Sequence, residues 1–378
     1  MKVTIVVSTL TAGGAERAVV NMANHWASVP GFTPTVLTTS QRGRPVAYDL
    51  DPRVAHHDIG WTRLPEDDEM DPESLHAILS ALDLEDPADD ILLPSIVLLT
   101  FLRRAIIKTR PDAVISMIDV MNVRVLAATE GLRIRRFVSE RCDPWRTSID
   151  SYEPLRRRLY RRADGVIAQT ADAARYFARF SDNCHAIPNI VVAPPPGERV
   201  QRPKRTAVAL ARLVGFKRLN LLIRAFARIA DRHPGWQLDI WGEGPQREFL
   251  ESVIRQVDGD GRIRLCGHAR DVYSVLRQAD LFAMTSNTEG FPNALCEAMA
   301  CGVPPVVIDS GAGVREIVRD GVDGVLVGED GQEPFAGALD RLMGDDAERA
   351  RLAANAPEIV ERFSAARVMR QWEEILTS

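Results

Sequence analysis

The sequence predicts an α/β protein built from two Rossmann-like domains that face each other across a cleft. Three observations predict it. Short apolar runs of strand length alternate with helical patterns from one end of the chain to the other, the sign of parallel α/β layers. A length of 378 residues exceeds what one ordinary hydrophobic core organises, so two domains are the natural division. A proline-rich break, Val192-Ala193-Pro194-Pro195-Pro196-Gly197, leaves about six candidate strands on either side.

In the first domain, residues 1–193, the runs predict strands at 3–7, 35–39, 55–59, 113–117, 136–140 and 165–169. Between the third and fourth, Arg63–Asp90 is acidic, punctuated by prolines and without a clean period, and reads as an irregular insertion. Three prolines and a glycine suit a stiff extended linker, and polar Glu198–Arg205 continues it, so 194–204 is taken as the connection. The second domain, 205–363, carries strands at 206–210, 237–241, 263–266, 281–285, 305–308 and 325–327, with a helix at about 219–232. A last helix at about 364–376, in the segment 364–378, either caps the second domain or crosses back to the first.

Composition narrows the function classes. A 46% hydrophobic and 26% charged chain is globular. The formal net charge of −5 is the wrong sign for nucleic-acid binding, which leaves a basic footprint. Cysteines 142, 184, 266, 296 and 301 form no CxxC pair and no Cys/His cluster, so neither structural zinc nor a disulfide framework is expected. The N-terminal Met1–Val7 reads as a first strand rather than a signal peptide, and no apolar run is long enough to span a bilayer. A cytoplasmic protein is expected. Two stretches carry basic charge beside apolar residues: Ile96–Leu102 running into Arg103, Arg104 and Lys108, and Arg156–Arg162. Such helices bind anionic lipid surfaces, and equally serve as a core-facing helix and a solvated face.

The most informative stretch is Thr288–Glu297, continuing to Pro304. Glu289 and Glu297 lie eight residues apart around a Gly290-Phe291-Pro292-Asn293 turn, followed by Ala294 and Leu295. The run 281–284 before it reads as a buried strand, Asn293 as a helix N-cap, and Gly302 with Pro304 as the helix stop. Glu289 then stands in a loop at the carboxyl end of a strand, the edge at which open parallel sheets bind ligands. A carboxylate there accepts hydrogen bonds from sugar hydroxyls, and points to a nucleotide-sugar site. Arg212 follows the first strand of this domain and Lys217 comes five residues later, before a helix. Two cations at a strand edge suit a diphosphate leaving group, although they also suit a plain solvated helix flank. Gly242 and Gly244 close the next strand and permit close backbone approach, and Gly267-His268 ends another at a height where a nucleobase meets backbone groups. His268 by itself reads as a loop residue. Ser310–Gly313 before a helix suits a phosphate or a tight turn.

In the first domain, Gly13-Gly14 separates the first strand from a helix beginning near Glu16. The run is not GxGxxG, and no acidic residue ends the second strand, so a dinucleotide fold is not indicated. The free N–H groups of such a turn can still meet a phosphate or a sugar. Ser139-Glu140-Arg141-Cys142-Asp143-Pro144 ends another strand with charged residues, either as a surface salt-bridge cluster or as a site for an acceptor. Asp49-Leu50-Asp51 is a DxD in an irregular stretch and does not suggest a metal site.

Over essentially the whole chain these residues resemble the retaining family-4 glycosyltransferases of the GT-B fold. The resemblance is most specific over Ala211–Lys217 and Gly267–Val327, where EGFPNALCEAMACGVP is the two-glutamate signature; GGAERAVVNMA at Gly13–Ala23 is also typical. It implies transfer of a hexose or N-acetylhexosamine from a nucleoside-diphosphate sugar, UDP by family frequency, to a glycan or lipid-linked saccharide in cell-envelope polysaccharide or glycoconjugate synthesis. By resemblance Arg212 and Lys217 bind the diphosphate, Glu289 meets the donor sugar, Glu297 holds the ribose, and Gly13 and Gly14 lie against the donor. The resemblance also implies no cofactor and no metal, the cations and helix dipoles taking over the electrostatic work. SERCDP resembles the SER(N)DP of members that extend lipid-diphosphate-linked glycans, with Cys142 in place of asparagine. A histidine that some relatives carry in the first domain is absent after 113–117, where Asp119 and Asn122 stand. Glu16, Asp119, Asn122, Glu140 and Arg141 are the acceptor-side candidates. Two competitors remain: a nucleotide-sugar epimerase of the same fold, and a degenerate nucleotide-binding partner subunit, against which the retention of Arg212, Lys217, Glu289 and Glu297 speaks.

Overall fold

The computed structural model describes residues 1–11, 13–60, 78, 93–145, 153–198, 205–328 and 331–378. The chain divides into two compact units, Met1–Ile190 together with Val368–Ser378, and Val191–Arg367. The segment Arg63–Asp90, apart from Ile78, and the linker residues 199–204 lie outside the described residues.

The first unit is built on a seven-stranded parallel sheet, β1 (Lys2–Val7), β2 (Thr33–Thr38), β3 (Ala55–Asp58), β4 (Ala113–Met117), β5 (Arg135–Ser139), β6 (Gly165–Ala168) and β7 (Cys184–Ala186), in the order β3-β2-β1-β4-β5-β6-β7. Its central strands are apolar on both sides because helices cover both faces, which is why they are near-continuous hydrophobic runs in sequence. On one face Val3, Ile5, Val7, Ala113 and Ile115 pack against Val19, Met22 and Trp26 of the helix Gly14–Ser28. The C-terminal helix Ala365–Thr377 adds Val368, Met369, Trp372 and Leu376 to that same core. Trp372 meets Trp26 edge to face, ring centres 6.5 Å apart. Arg135 donates to the carbonyl of Ile375 at 2.8 Å and to that of Leu376, satisfying carbonyls that the helix end leaves open. On the other face Val6, Val114, Val138 and Val166 pack against the helices Leu93–Thr109, Asp119–Ala128 and Ala171–Phe177.

The second unit repeats the plan with six parallel strands, β8 (Arg205–Leu210), β9 (Trp236–Trp241), β10 (Ile263–Gly267), β11 (Leu281–Met284), β12 (Pro305–Ile308) and β13 (Val325–Val327), ordered β10-β9-β8-β11-β12-β13. Leu222, Phe226 and Ile229 of the helix Leu219–Ile229 cover one face with Phe335 and Leu339. Leu295, Met299, Val314, Ile317 and Ile359 cover the other.

All twelve expected strands are present, with ends within two residues of those expected. The addition is β7, a three-residue edge strand, Cys184-His185-Ala186, half-buried throughout. The helix expected over 219–232 ends at Ile229 and tightens into a 3-10 turn over Ala230–Arg232.

In each sheet the order reverses once. From β1 the chain moves to β2 and β3 on one side, and resumes at β4 on the other; from β8 it moves to β9 and β10, and resumes at β11. The helices after β1 and β4, and after β8 and β11, therefore lie on opposite faces, opening a crevice at the carboxyl ends of each pair.

Candidate active site

The crevice of the second unit holds three of the residues singled out in the sequence. Arg212 and Lys217 follow β8, and Glu289 follows the neighbouring strand β11. Lys217 Nζ lies 2.5 Å from Glu289 Oε1, with the two side chains 17% and 11% exposed. The loops that carry them are pinned together: Thr285 Oγ1 donates to the Lys217 carbonyl at 2.9 Å, and Asn287 N donates to the Phe216 carbonyl at 3.0 Å. The Lys217 ammonium also lies 5.2 Å from the Phe216 ring centre. Arg212 is exposed and has no ion-pair partner among the described residues. One cation is thus held by a carboxylate and the other is available to an anion.

The helix following Glu289 runs from Asn293 to Ala300, so Asn293 is its first residue and Pro292 takes the capping position expected for Asn293. Gly302, at φ +71°, ends it: Val303 N donates to the Ala298 carbonyl at 3.0 Å and Gly302 N to that of Met299 at 2.9 Å. That pair of bonds needs a left-handed residue, which glycine supplies without strain. Phe291, Pro292 and Leu295 are buried; Phe291 stacks edge to face on Phe363 at 5.2 Å and Leu295 is fully enclosed. Only their backbones can serve a ligand. Gly290, Asn293, Ala294 and Glu297 stay half-buried along the same turn and helix.

Two glycines explain how these loops come so close. A Cβ on Gly242, at φ +143°, would stand 1.8 Å from the Ala211 carbonyl oxygen, and one on Gly313 would stand 1.8 Å from that of Gly290. Gly242 is required by the Arg212 loop itself, whatever else approaches it. Gly313 plays the same part for the Glu289 loop, which accounts for the small residues of Ser310–Gly313.

Gly267, at φ +79°, and exposed His268 end β10. Beside them opens a cavity of about 420 Å³, lined by Trp241, Asp239, Thr206, Arg270 and Ser274 among others. Its walls do not include Arg212, Lys217 or Glu289, so it is not the cationic crevice. Asp51, of the DxD, pairs with Arg53 at 2.7 Å. Among the described residues no three His, Cys, Asp or Glu side chains are grouped to hold a metal ion.

The candidates of the first unit part company. Gly13 is held by Tyr48, whose hydroxyl contacts the Gly13 N–H at 3.2 Å and its carbonyl at 3.0 Å. Gly14 is exposed, and Glu16 and Asp119 are half-buried, all near the carboxyl edge of the sheet. Asn122, by contrast, is fully buried: it accepts from Ser116 Oγ at 2.7 Å and donates to the Ser139 carbonyl and to Tyr160 Oη, each at 3.1 Å. Glu140 is also turned inward, hydrogen-bonded to Tyr160 Oη and 3.9 Å from Arg156. Burial pushes its carboxyl up to about 7, against the pull of Arg156 and Tyr160. These two residues hold β4, β5 and the following helix together and are not placed to meet an acceptor. At the end of β4, Ile118 has φ +76°. A β-branched residue there is strained, by about 1–3 kcal/mol, and such strain gathers at functional edges. Arg141 reaches the same edge, its Nη2 3.4 Å from Met117 Sδ. Asn189 and Gln169, which complete these networks, carried no signal in the sequence beyond their residue type, whereas Tyr160 and Arg156 stood in the basic run Arg156–Arg162 and are buried here rather than set on its exposed face.

Residues 196–359 match the family described as glycosyl transferases group 1. Over 195 residues the chain is 38% identical to an exopolysaccharide phosphotransferase of Streptomyces coelicolor, covering 51% of this chain and 20% of that protein. Over 389 residues it is 22% identical to the Campylobacter jejuni GalNAc-alpha-(1->4)-GalNAc-alpha-(1->3)-diNAcBac-PP-undecaprenol alpha-1,4-N-acetyl-D-galactosaminyltransferase, covering 100% of this chain and 98% of that one. The structure matches Staphylococcus aureus TarM, solved in complex with UDP and alpha-GlcNAc-glycerol, at a TM-score of 0.80 and 13% identity over the full length of both. The chain spans just over half, or less, of the length of the first curated relatives it matches. Two doubly wound units of this plan, matched from end to end, define the GT-B architecture. The match to the group 1 glycosyl transferases lies in the second unit.

Proposed function

We propose that the chain is a retaining glycosyltransferase that moves a hexose or N-acetylhexosamine from a UDP-sugar to a glycan or lipid-linked saccharide in envelope polysaccharide synthesis. The observation that carries this reading is the convergence of Arg212, Lys217 and Glu289 on one switch-point crevice. The Campylobacter relative, named for the transfer of N-acetylgalactosamine to a diphospho-undecaprenol glycan, and TarM, crystallised with UDP, support donor and acceptor class.

On this reading the second unit binds the donor and the first unit the acceptor. Arg212 and Lys217 neutralise the charge that grows on the departing diphosphate, in a site where fixed cations need no reorganisation. They supply the positive charge that a divalent ion supplies at other diphosphates. Glu289 accepts from the donor sugar's hydroxyls, Glu297 from the ribose, and backbone at Gly267-His268 meets the base. The acceptor hydroxyl attacks from the face the diphosphate leaves, so the anomeric configuration is kept, and a departing phosphate oxygen takes its proton. Gly13, Gly14, Glu16 and Asp119 stand near the carboxyl edge of the first unit's own sheet. A cytoplasmic protein resting on an anionic membrane face through Arg157 and Arg161, both exposed, fits a lipid-linked acceptor; among the described residues no helix is long and apolar enough to cross a membrane.

Incubation with UDP-, GDP- and ADP-sugars in the presence of membrane-derived lipid-linked glycans, with release of nucleotide as the readout, tests the reading. Release from one nucleotide class with a lengthened glycan, lost in Glu289→Gln, is expected. Conversion of the sugar with no acceptor consumed would instead identify an epimerase, and binding without turnover a degenerate subunit.

A further inference from the structure

Arg141 is a half-buried cation that makes no ion pair among the described residues. Its Nη1 donates to Asn189 Oδ1 at 2.6 Å, its Nη2 lies 3.4 Å from Met117 Sδ and 3.9 Å from Met22 Sδ, and its Nε, shielded from solvent, has no acceptor. No carboxylate pairs with it among the described residues. Glu140, next in sequence, is engaged with Tyr160 and Arg156. A guanidinium left without an anion in such surroundings is costly, and burial pushes Arg141 down to about 10. Its one strong partner, Asn189 Oδ1, is shared with Gln169 Nε2 at 3.0 Å, while Gln169 Oε1 is itself buried without a partner.

The place is as telling as the chemistry. Met117 ends β4, Met22 lies on the helix that follows β1, and β1 and β4 are the strands between which the first sheet reverses. Arg141 therefore reaches from the end of β5 into the switch-point crevice of the first unit, the place where open parallel sheets take ligands. Strained Ile118 stands at the same edge. A structural arginine needs a carboxylate or a set of carbonyls; two thioethers and one amide do not neutralise it.

We propose that Arg141 receives an oxyanion borne by the acceptor, a phosphoryl group or a sugar carboxylate, in the switch-point crevice of the first unit. The inference rests on the glycosyltransferase reading for the word acceptor, but not for the site. An acceptor carrying charge beside its reactive hydroxyl is anchored by that charge, and neutral glycans are refused because they leave the guanidinium unpaired.

The test uses the full chain in an Arg212→Ala/Lys217→Ala background, which removes the second unit's cations, and titrates inorganic pyrophosphate and, separately, glucuronate. Saturable binding of one of them, weakened about tenfold or more by Arg141→Met and kept by Arg141→Lys, is expected, and which probe binds tells phosphoryl from carboxylate. Methionine matches the two sulfurs around the site, so Arg141→Met is expected to fold with an unchanged or raised melting temperature. Absence of binding by both probes, or equal binding in Arg141→Met, overturns the proposal. So does displacement of the bound probe by UDP, which would make the site part of the donor's. If Arg141→Met fails to fold, Arg141→Lys decides: loss of binding with the charge retained overturns the oxyanion site. In the unaltered chain, failure of UDP to bind would sink the donor reading and leave this result standing.

Discussion

Lys217 and Glu289 are 72 residues apart in sequence and 2.5 Å apart across the second unit's crevice. On the proposed reading, the cation assigned to the diphosphate and the carboxylate assigned to the sugar are thus paired with one another. On that reading a nucleotide diphosphate must draw Lys217 away from this pairing or share it, and Glu289 is expected to oppose nucleotide binding while serving the transfer. In Glu289→Gln the competing charge is gone. UDP affinity should rise by about 2- to 10-fold while turnover falls by about 10²-fold or more. Calorimetric titration beside a turnover assay reads both; weaker UDP binding in Glu289→Gln would mean that the pair organises the site rather than competing with the nucleotide.

The same pair predicts a stability pattern. Lys217→Ala leaves a mostly buried carboxylate without its cation and should cost about 1–3 kcal/mol. Removing both side chains, in Lys217→Ala/Glu289→Ala, should cost less than Lys217→Ala alone. A double-mutant cycle by urea unfolding checks this, and strict additivity would show that the two side chains do not interact in solution.

Gly313 is where the Glu289 loop admits no side chain. Gly313→Ala drives a methyl to 1.8 Å from the Gly290 carbonyl oxygen, a backbone atom that moves only if the loop moves. A loss of about 3 kcal/mol or more is expected, along with loss of UDP binding. Gly337 lies in the helix Gln332–Gly344 with open space around it, and Gly337→Ala should stabilise by about 0.5–1 kcal/mol. Equal melting temperatures for the two variants would contradict the close approach.

Glu140 gives the first unit a pH dependence of unusual sign for a carboxylate. In the folded protein it keeps its proton up to about pH 7, whereas its ordinary value is 4.5. Below 4.5 both folded and unfolded chains hold the proton; between 4.5 and 7 only the folded one does, so stability falls as pH rises through that window. Glu140→Gln removes the titration and should flatten this part of the profile, by a difference on the order of 2–3 kcal/mol near pH 7.5. Denaturant midpoints of the two proteins at a series of pH values supply the comparison; parallel curves would refute the buried, protonated carboxyl.

The C-terminal helix is a structural member of the first unit although the chain between them forms the second. Trp372→Ala opens the space against Trp26 and should cost about 3–5 kcal/mol. Chemical denaturation measures it, and an unchanged midpoint would show that the helix is not docked there.

Much of this was legible because parallel strands covered on both faces must be apolar throughout, and such runs as Val3–Val7 or Val306–Ile308 stand out. β7 escaped because an edge strand of three half-buried residues makes no such run. The two-glutamate stretch located a strand edge, but its partners depend on strand order: nothing in the sequence says that β8 and β11 are neighbours, and without that Lys217 and Glu289 are merely two charges. Orientation at strand ends was also hidden. Glu140 and Arg141 are adjacent, yet one turns to Tyr160 and the other to Met117 and Asn189, because successive side chains leave a strand on opposite sides. Gly242 suited either a ligand's approach or a plain turn, and the Ala211 carbonyl that also requires a glycine there comes from residues 31 positions away.

On the proposed reading the β8/β11 crevice holds a nucleoside diphosphate by its cations. Isothermal titration of UDP into the intact chain and into Arg212→Ala/Lys217→Ala tests it most directly. One saturable site in the first, abolished in the second while that variant still unfolds cooperatively with its melting temperature lowered only by the loss of the Lys217–Glu289 pair, is the predicted result. Equal affinity in both, with the fold intact, would contradict it.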